Sequence, residues 1–272
     1  MKVIILGSNG MLGHDLVNAF KNHELYAFTK KDLDIRDKYL LSKKINKIMP
    51  SFIINAAAYT DVDGCEQNPG LAFEVNAGGV KNIAESCKGK NCAIAHISTD
   101  YVFSGRKNGY KENDAPDPAN VYGKSKYLGE KYLRHLTKRY YIIRTSWLFG
   151  DHGKNFVSTI LNLAKNKRKI EVVNDQRGNP TYTLDLANSM RKIAELKPKF
   201  GIYHQTNDGA CTWYQFAKKI IKLKKLNTDI KAITSDKLKR AAIRPKCSAL
   251  VNTKLPRLRS WELALKDYLG EK

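Results

Sequence analysis

The sequence predicts an α/β protein: a Rossmann-type, doubly wound parallel sheet with a smaller C-terminal substrate-binding lobe. A β-branched apolar strand at residues 2–6 runs directly into a turn with glycines at positions 7, 10 and 13, and strands then alternate with helices as far as residue 150. A chain of 272 residues with 42% hydrophobic residues can bury one large core or two modest ones. We therefore predict an NAD(P)-binding domain over 1–150 and a substrate-binding lobe over 151–272, with a helix at about 183–197 returning to the first domain.

The glycine turn is where the dinucleotide prediction begins. Gly7 allows the tight turn, Gly10 lets the backbone approach a diphosphate, and Gly13 permits close packing of the next helix. The N-terminus of that helix then faces the phosphates. Because strand, turn and helix occur in the required order, the motif is stronger than three glycines alone.

The residues after the second strand, at 25–28, bear on the choice of cofactor. An acidic residue at this position favours NAD, but the chain has Thr29, Lys30 and Lys31. These donors can hold a 2′-phosphate, so the sequence favours NADPH, with NADH possible. The alternative is that both lysines are merely exposed turn residues.

The next two units of the first domain place small and hydroxyl-bearing residues at strand ends. An acidic turn at 32–37 opens a helix to about residue 48, and a strand at 52–55 runs into three alanines, Ala56 to Ala58. A helix at about 72–87 leads to a strand at 92–97, which ends in Ser98, Thr99 and Asp100. Hydroxyls at the carboxyl end of a parallel strand point towards the ligand crevice.

A Tyr and a Lys four residues apart follow a loop at 105–119 that is able to close over the site. On a helix, Tyr122 and Lys126 lie on one face, one turn apart. A cation ~4 Å from a phenol, at an effective dielectric of ~20, supplies the roughly 4 kcal/mol needed to lower a pKa of about 10 to about 7. The pair can therefore make a proton donor, although the pattern by itself is weak.

The second lobe is predicted from shorter signals. A strand at 140–143 and the sequence Arg-Thr-Ser-Trp from Arg144 precede it. Its predicted elements are helices at 155–165, 183–196, 212–223 and from about 260, strands at 170–173 and 201–205, and loops at 174–181 and 244–248.

Charge and cysteine content restrict the partners. The formal charge is +22, and residues 216–272 contribute half of it, which is compatible with a solvated face, an anionic small substrate or a polyanion. No RNA-binding signature or recognition helix is evident, so nucleic acid is not expected. The five cysteines form no C-x-x-C pair, which argues against a zinc site or a disulfide framework. The first strand begins at Lys2 and no apolar run reaches ~20 residues, so we expect a cytoplasmic protein without a membrane segment.

Taken together, the motifs resemble those of the dTDP-4-dehydrorhamnose reductases, which are extended short-chain dehydrogenase/reductases. The resemblance covers essentially the whole chain. The motifs are G-S-N-G-M-L-G from Gly7, N-A-A-A-Y-T-D-V-D from Asn55, S-T-D-Y-V-F from Ser98, Y-G-K-S-K from Tyr122, R-T-S-W from Arg144, N-D-Q-R-G-N-P-T from Asn174 and R-P-K-C-S-A-L from Arg244.

This resemblance implies the roles of individual residues. Thr99, Tyr122 and Lys126 would be the catalytic triad: Tyr122 protonates the alkoxide, Lys126 depresses its pKa and holds the nicotinamide ribose, and Thr99 hydrogen-bonds the carbonyl. The substrate contacts would be Thr99, Asp100, Trp147 and, from the second lobe, Arg244. The cofactor contacts would include Met11, Leu12, Asp34, Ile35 and Ala56, Ala57 and Ala58, beside Gly7, Gly10, Gly13, Thr29, Lys30, Tyr122 and Lys126.

Several residues also have a structural interpretation. Trp147 is as readily core filling as a substrate contact, His96 reads as a core histidine, and Asp175 and Asp185 as caps; His14 is ambiguous. Some family members are described as dimers with magnesium on C-terminal carboxylates. Here Glu271 is the single carboxylate after Tyr268, so no metal is carried over, and the chain is expected to be a monomer or homodimer.

The leading function is NAD(P)H-dependent reduction of the 4-keto group of a nucleotide-linked 6-deoxyhexose. Alternatives are reduction of a related nucleotide sugar, such as a UDP-linked amino sugar or a talose-forming substrate, and a non-catalytic regulatory subunit like that of methionine adenosyltransferase. A regulatory subunit would not need Thr99, Tyr122 and Lys126 together.

Overall fold

A six-stranded, all-parallel sheet forms the centre of the protein. The computed structural model describes residues 1–271. The sheet strands are β1 (Lys2–Leu6), β2 (Glu24–Phe28), β3 (Phe52–Asn55), β4 (Ala93–Thr99), β5 (Tyr140–Thr145) and β10 (Gly201–His204), in the order β10-β5-β4-β3-β1-β2. The Rossmann-type α/β class predicted from the sequence is confirmed.

Helices cover both faces of this sheet. The helices of the described residues are α1 (Met11–Ala19), α2 (Lys38–Ile48), α3 (Val62–Gln67), α4 (Pro69–Phe73), α5 (Gly79–Ser86), α6 (Val121–Leu136), α7 (Phe156–Asn166), α8 (Thr183–Leu196), α9 (Trp213–Leu223) and α10 (Trp261–Tyr268), of which α7, α9 and α10 pack in the second lobe. Leu16 of α1 and Met190 of α8 share a core with Val3 and Ile5. Ile45 of α2, Ile83 of α5 and Leu133 of α6 share the opposite core with Ile4 and Ile53. Because successive strand residues point to opposite faces, a fully apolar β1 supplies both cores.

The second lobe has a core of its own. Its short strands are β6 (Leu148–Phe149), β7 (Lys169–Val173), β8 (Arg177–Gly178), β9 (Thr181–Tyr182), β11 (Cys211–Thr212) and β12 (Asp229–Ile233). β7 pairs in parallel with β12, and α7, α9 and α10 pack around Phe216 and Trp261. Thr212 caps α9 in a capping box with Gln215, as its sequence indicates.

The sheet does not follow the sequence boundary at residue 150. Strand β10 lies within the 151–272 range assigned to the second lobe, yet it pairs in parallel with β5. The crossover between them contains α8, which packs on α1. A parallel edge strand needs such a helical crossover, so β10 joins the large sheet as its edge strand and α8 packs on one face of that sheet.

The structure refines two of the predicted helices and shows what the loop at 105–119 contacts. The helix that the acidic turn at 32–37 opens begins at Lys38, because the Asp37 side chain accepts the Leu40 N–H and caps it there. The helix expected over 72–87 is α4, a π-helical turn (Glu74–Gly78) and α5. The loop at 105–119 lies against the second lobe: the Tyr110 hydroxyl accepts three backbone N–H groups, from Gly105 to Lys107, and Tyr110 bridges to Leu250.

No described helix has both the length and the apolar character needed to cross a bilayer. All five cysteines lie buried as free thiols.

Candidate active site

The glycine turn forms a backbone cradle at the carboxyl end of β1. Gly7 has φ +81°, and a Cβ there would lie 2.7 Å from the Ala57 nitrogen, so only glycine fits. Gly13 packs on the turn itself in the first turn of α1. Gly10 is the N-cap of α1 without a side-chain cap, and no acidic residue occupies the first turn. The free N–H groups at this helix start suit a diphosphate.

A cavity of about 230 Å³ continues from this turn along the end of β2. Its lining includes the predicted residues Gly7, Gly10, Lys30, Asp34, Ile35 and Ala56 to Ala58. Thr29 is not in the lining: its hydroxyl donates to Asp32 at 2.7 Å. Asp34 is held by Arg36, whose Nη2 lies 2.7 Å from Oδ2, and this pairing lowers the pKa of Asp34. No sequence motif indicates this contact of Arg36 with Asp34, and it was not predicted.

The predicted catalytic residues meet in a second cavity of about 450 Å³. Thr99 and Asp100 line it from the end of β4, Tyr122 and Lys126 from α6, and Trp147 from beyond β5. Met11, Leu12 and Gly13 line its other end. The sheet edge therefore brings together residues as far apart in the sequence as Met11 and Trp147.

The N-cap of α6 determines where the helix that carries Tyr122 and Lys126 begins. Asn120 is the N-cap, and its side chain accepts the Gly123 N–H at 2.8 Å. The Asn120 amide also donates to the Ile243 carbonyl at 2.8 Å, which ties the helix start to the second lobe. One helical turn then separates the phenol from the ammonium.

The electrostatics of Tyr122 and Lys126 differ from the sequence expectation. Burial raises the pKa of Tyr122, and its hydrogen bond with Thr99 offsets part of that rise. Burial lowers the pKa of Lys126 to about 8, while Glu130 acts in the opposite direction. Lys126 Nζ donates to the Ile97 carbonyl at 2.6 Å. The phenol pKa in this structure is thus governed by burial and Thr99, and Lys126 is not among the groups that lower it.

Asp100 joins the first domain to the second. Its Oδ1 accepts the Thr99 hydroxyl at 3.1 Å, and its Oδ2 accepts the Ser248 hydroxyl. Burial raises the pKa of Asp100 to about 7, and these two hydroxyls moderate the rise. Ser248 belongs to the R-P-K-C-S-A-L motif, but its contact was not predicted because nothing local signals it.

Trp147 is half-buried and packs against the core of the second lobe while it also lines the second cavity. Its backbone has φ +47°, and its indole stacks on Trp213 of α9 with ring centroids 3.5 Å apart. A strained non-glycine backbone at a cavity wall is typical of functional sites. Trp213, which the sequence analysis missed, also lines a third cavity of about 640 Å³, together with Tyr101.

Arg244 lies in this third cavity and is already paired. Its Nη1 and Nη2 reach the Asp63 carboxylate at 3.1 and 2.8 Å, and Arg240 adds a contact at 3.4 Å. The two arginines hold the pKa of Asp63 well below its usual range. Arg240, Arg244 and Lys246 place positive charge on one side of the cavity.

The histidines and the remaining aspartates fall into different environments. His96 is buried as expected, but its Nε2 lies 3.4 Å from Lys126 Nζ, so it is part of the site. His14 stacks on His152 at 3.9 Å. Asp175 accepts the Ser235 N–H at 3.0 Å, and Asp185 accepts Asn207 Nδ2 at 2.7 Å; neither carboxylate is in the lining of the three cavities.

Asn76 of the π-helical turn was also missed. Its side chain accepts the Tyr59 N–H at 2.8 Å and donates to the Ser125 hydroxyl at 3.1 Å. It thereby clamps the loop after β3 against the helix of Tyr122 and Lys126. Within residues 1–271, no group of three or more His, Cys, Asp or Glu side chains is arranged to hold a metal ion.

The chain is similar to known proteins along essentially its whole length. The sequence model of the RmlD substrate binding domain matches residues 1–272. A dTDP-4-dehydrorhamnose reductase of Aggregatibacter actinomycetemcomitans is 41% identical over 286 residues, covering 98% of this chain and 97% of the relative. The chain belongs to the dTDP-4-dehydrorhamnose reductase family.

One further curated relative and two solved structures are also similar to this chain. The spore coat polysaccharide biosynthesis protein SpsK of Bacillus subtilis is 40% identical, with 100% of this chain and 98% of SpsK covered. The dTDP-4-dehydrorhamnose reductase of Bacillus anthracis, solved in complex with NADP, superimposes with a TM-score of 0.96 at 38% identity, covering 100% of this chain and 99% of that chain. A dTDP-glucose 4,6-dehydratase of Streptomyces venezuelae at 15% identity and TM-score 0.84, covering 99% and 96% of the two chains, shares the fold alone.

Proposed function

We propose that this protein is an NADPH-dependent reductase that converts dTDP-4-dehydro-L-rhamnose to dTDP-L-rhamnose. The observation that carries this is the convergence of Thr99, Asp100, Tyr122 and Lys126 on one cavity, beside the glycine cradle, in a chain of the dTDP-4-dehydrorhamnose reductase family. The cofactor would supply the hydride to the 4-keto carbon. The residues of the chain bind it, orient the ketone and deliver the proton.

The two cavities beside α1 fit an extended dinucleotide. The adenosine end would lie in the cavity lined by Asp34, Ile35 and Ala56 to Ala58, with the diphosphate over Gly10 and Met11. Lys30 is an exposed cation in the lining of that cavity and would hold a 2′-phosphate there, which supports NADPH. The relative from Bacillus anthracis, which binds NADP, supports the same choice.

Tyr122 is the proposed proton donor. Its raised pKa keeps the phenol protonated at neutral pH, as a general acid requires before reaction. Thr99 would donate a hydrogen bond to the substrate carbonyl once its single hydroxyl proton turns from Asp100 Oδ1, to which it donates at 3.1 Å in this structure. A positive charge on Lys126 would stabilise the phenolate left behind, once its amine turns from the Ile97 carbonyl to the nicotinamide ribose.

The third cavity suits the nucleotide part of the substrate. Its volume of about 640 Å³ is in the range of small-molecule sites, and its walls combine Phe156, Ile160 and Val172 with the cations Arg240 and Arg244. Trp213 and Tyr101 line both this cavity and the catalytic one. A base and diphosphate in the third cavity would therefore present the sugar to Tyr122, past Trp147.

The test compares Tyr122→Phe with Tyr127→Phe. Both tyrosines lie on α6, but Tyr127 packs against Val102 and Phe103, and it is not in the lining of the catalytic cavity. With NADPH and dTDP-4-dehydro-L-rhamnose, Tyr122→Phe should lose at least ~100-fold in kcat, as removal of a general acid does. Tyr127→Phe should keep near-normal turnover. Equal rates for Tyr122→Phe and the parent protein would refute the mechanism.

Related nucleotide sugars remain the second candidate substrates, and product analysis over a panel of dTDP- and UDP-linked 4-keto sugars separates them. The cytoplasmic location and the monomer or homodimer state stay predictions from sequence.

A further inference from the structure

A short buried chain of hydrogen bonds runs from the cofactor loop to Lys126. The Ala57 N–H donates to Asn55 Oδ1 at 3.1 Å, Asn55 Nδ2 lies 3.2 Å from His96 Nδ1, and His96 Nε2 lies 3.4 Å from Lys126 Nζ. Asn55, His96 and Lys126 are 1%, 0% and 2% exposed, so water does not compete for these contacts. The proposed function leaves Asn55 and His96 without a role.

The direction of this chain follows from its first bond. A backbone N–H can only donate, so the atom of Asn55 that faces Ala57 must be the oxygen. The Asn55 amide nitrogen therefore donates to His96 Nδ1. A neutral imidazole that accepts at Nδ1 carries its proton on Nε2. His96 thus presents an N–H donor to Lys126.

A lysine ammonium is a poor partner for that donor. It has three N–H donors and no lone pair, whereas a neutral amine can donate to the Ile97 carbonyl at 2.6 Å and still accept from His96. We propose that Asn55 and His96 form a tautomer lock: they fix the Nε2–H form of His96, bias Lys126 towards its neutral amine in the free protein, and so make cofactor binding take up a proton at Lys126.

The surrounding charges agree with this role. Glu130, one turn along α6, favours the ammonium, but its carboxylate is paired with Arg144 of β5 at 2.7 Å. Tyr122 is neutral at physiological pH because burial raises its pKa, and Asp100 and Cys65 raise it further. Burial holds the pKa of His96 well below its ordinary value, so the ring stays neutral, and the pKa of Lys126 is lowered to about 8.

The inference rests on the proposed function in one respect: the ligand that draws Lys126 into its charged form is NADPH. The diphosphate brings negative charge, and the ribose hydroxyls accept from an ammonium. Above about pH 8, where the free amine predominates, the apparent Kd for NADPH should weaken by up to tenfold per pH unit.

The decisive readout is the tautomer itself. Nitrogen-15 NMR of the histidine side chains in the ligand-free protein, with His96 assigned by its absence in His96→Gln, should show a protonated Nε2 and an unprotonated Nδ1. In Asn55→Asp the carboxylate accepts from both Ala57 N–H and the ring, so the proton should move to Nδ1. Asn18→Asp, an exposed site on α1, adds the same charge without the contact and should leave the tautomer unchanged.

Calorimetry in buffers of different ionisation enthalpy then counts protons taken up on NADPH binding. At about pH 8, the parent protein and Asn18→Asp should take up a measurable fraction of a proton, and Asn55→Asp should take up less. An Nδ1–H tautomer in the parent protein overturns the inference, and so does equal uptake by parent and Asn55→Asp. If Asn55→Asp does not fold, the tautomer of His96 in the parent protein still tests the inference. Failure of NADPH to bind at all would instead refute the proposed function.

Discussion

Glu130 of α6 and Arg144 of β5 form a buried ion pair, and we expect the protein to respond more strongly to loss of this charge than to loss of an exposed one. The two side chains are 0% and 1% exposed, and Arg144 Nη2 and Nε reach the Glu130 carboxylate at 2.7 and 2.9 Å. The Ser98 hydroxyl donates to the same carboxylate at 2.6 Å. Glu130→Gln keeps the shape of the side chain and removes its charge.

The expected loss follows from what remains. Arg144 stays buried with an uncompensated charge, and its Nη1 already has no protein partner. Breaking one partner of a buried pair costs about 3–5 kcal/mol of unfolding free energy. At roughly 2–4 °C per kcal/mol, the Tm should fall by roughly 6–20 °C.

The assay is thermal and urea unfolding of Glu130→Gln beside a matched control. Glu195 pairs with Arg191 on α8 at 3.0 Å, but these side chains are 36% and 35% exposed. An exposed pair contributes about 0–1 kcal/mol, so Glu195→Gln should change little. Replacing Glu130 and Arg144 together by Met should recover part of the loss, because no unpaired charge is left. A loss in Glu130→Gln no larger than that in Glu195→Gln would refute the reasoning.

Three further outcomes are expected. Lys30→Ala should weaken NADPH binding more than NADH binding, because Lys30 lines the cavity proposed for the adenosine end of the cofactor. A fluorescence titration that shows equal losses would count against a 2′-phosphate contact. Asp100 has a pKa of about 7 in the folded protein against an ordinary 3.8, so the folded state binds its proton more tightly and the stability of the parent protein should fall as pH rises between these values. Asn cannot ionise, so the difference in Tm between Asp100→Asn and the parent should be more favourable to the variant at about pH 8 than at about pH 5. Tm profiles that run parallel over this range would contradict this. Trp213→Ala should raise KM for the nucleotide sugar more than it lowers kcat, because Trp213 lines the cavity proposed for the nucleotide as well as the cavity that contains Tyr122, and a loss confined to kcat would argue against the placement.

Much of the first domain was predictable because its signals are local. The run of buried residues in β1, the turn at Gly7 and the i, i+4 spacing of Tyr122 and Lys126 are each contained within a few residues. Helix and strand geometry converts such spacings directly into position. The boundary near residue 150 was less predictable, because β10 joins the sheet by pairing with β5. The paired residues Gly201 and Tyr141 are 60 positions apart in the sequence.

What the sequence by itself determined is the sheet class, the phosphate cradle and the identity of the groups at the strand ends. Only the tertiary structure decided their partners: Ser248 on Asp100, Asp63 on Arg244, Trp213 on Trp147, and His96 on Lys126. Each of these contacts joins segments far apart in the chain, and no spacing rule specifies which side chains meet there. Burial where these segments meet raises the pKa of Asp100 and lowers that of Lys126, and the degree of burial cannot be read from the neighbouring sequence.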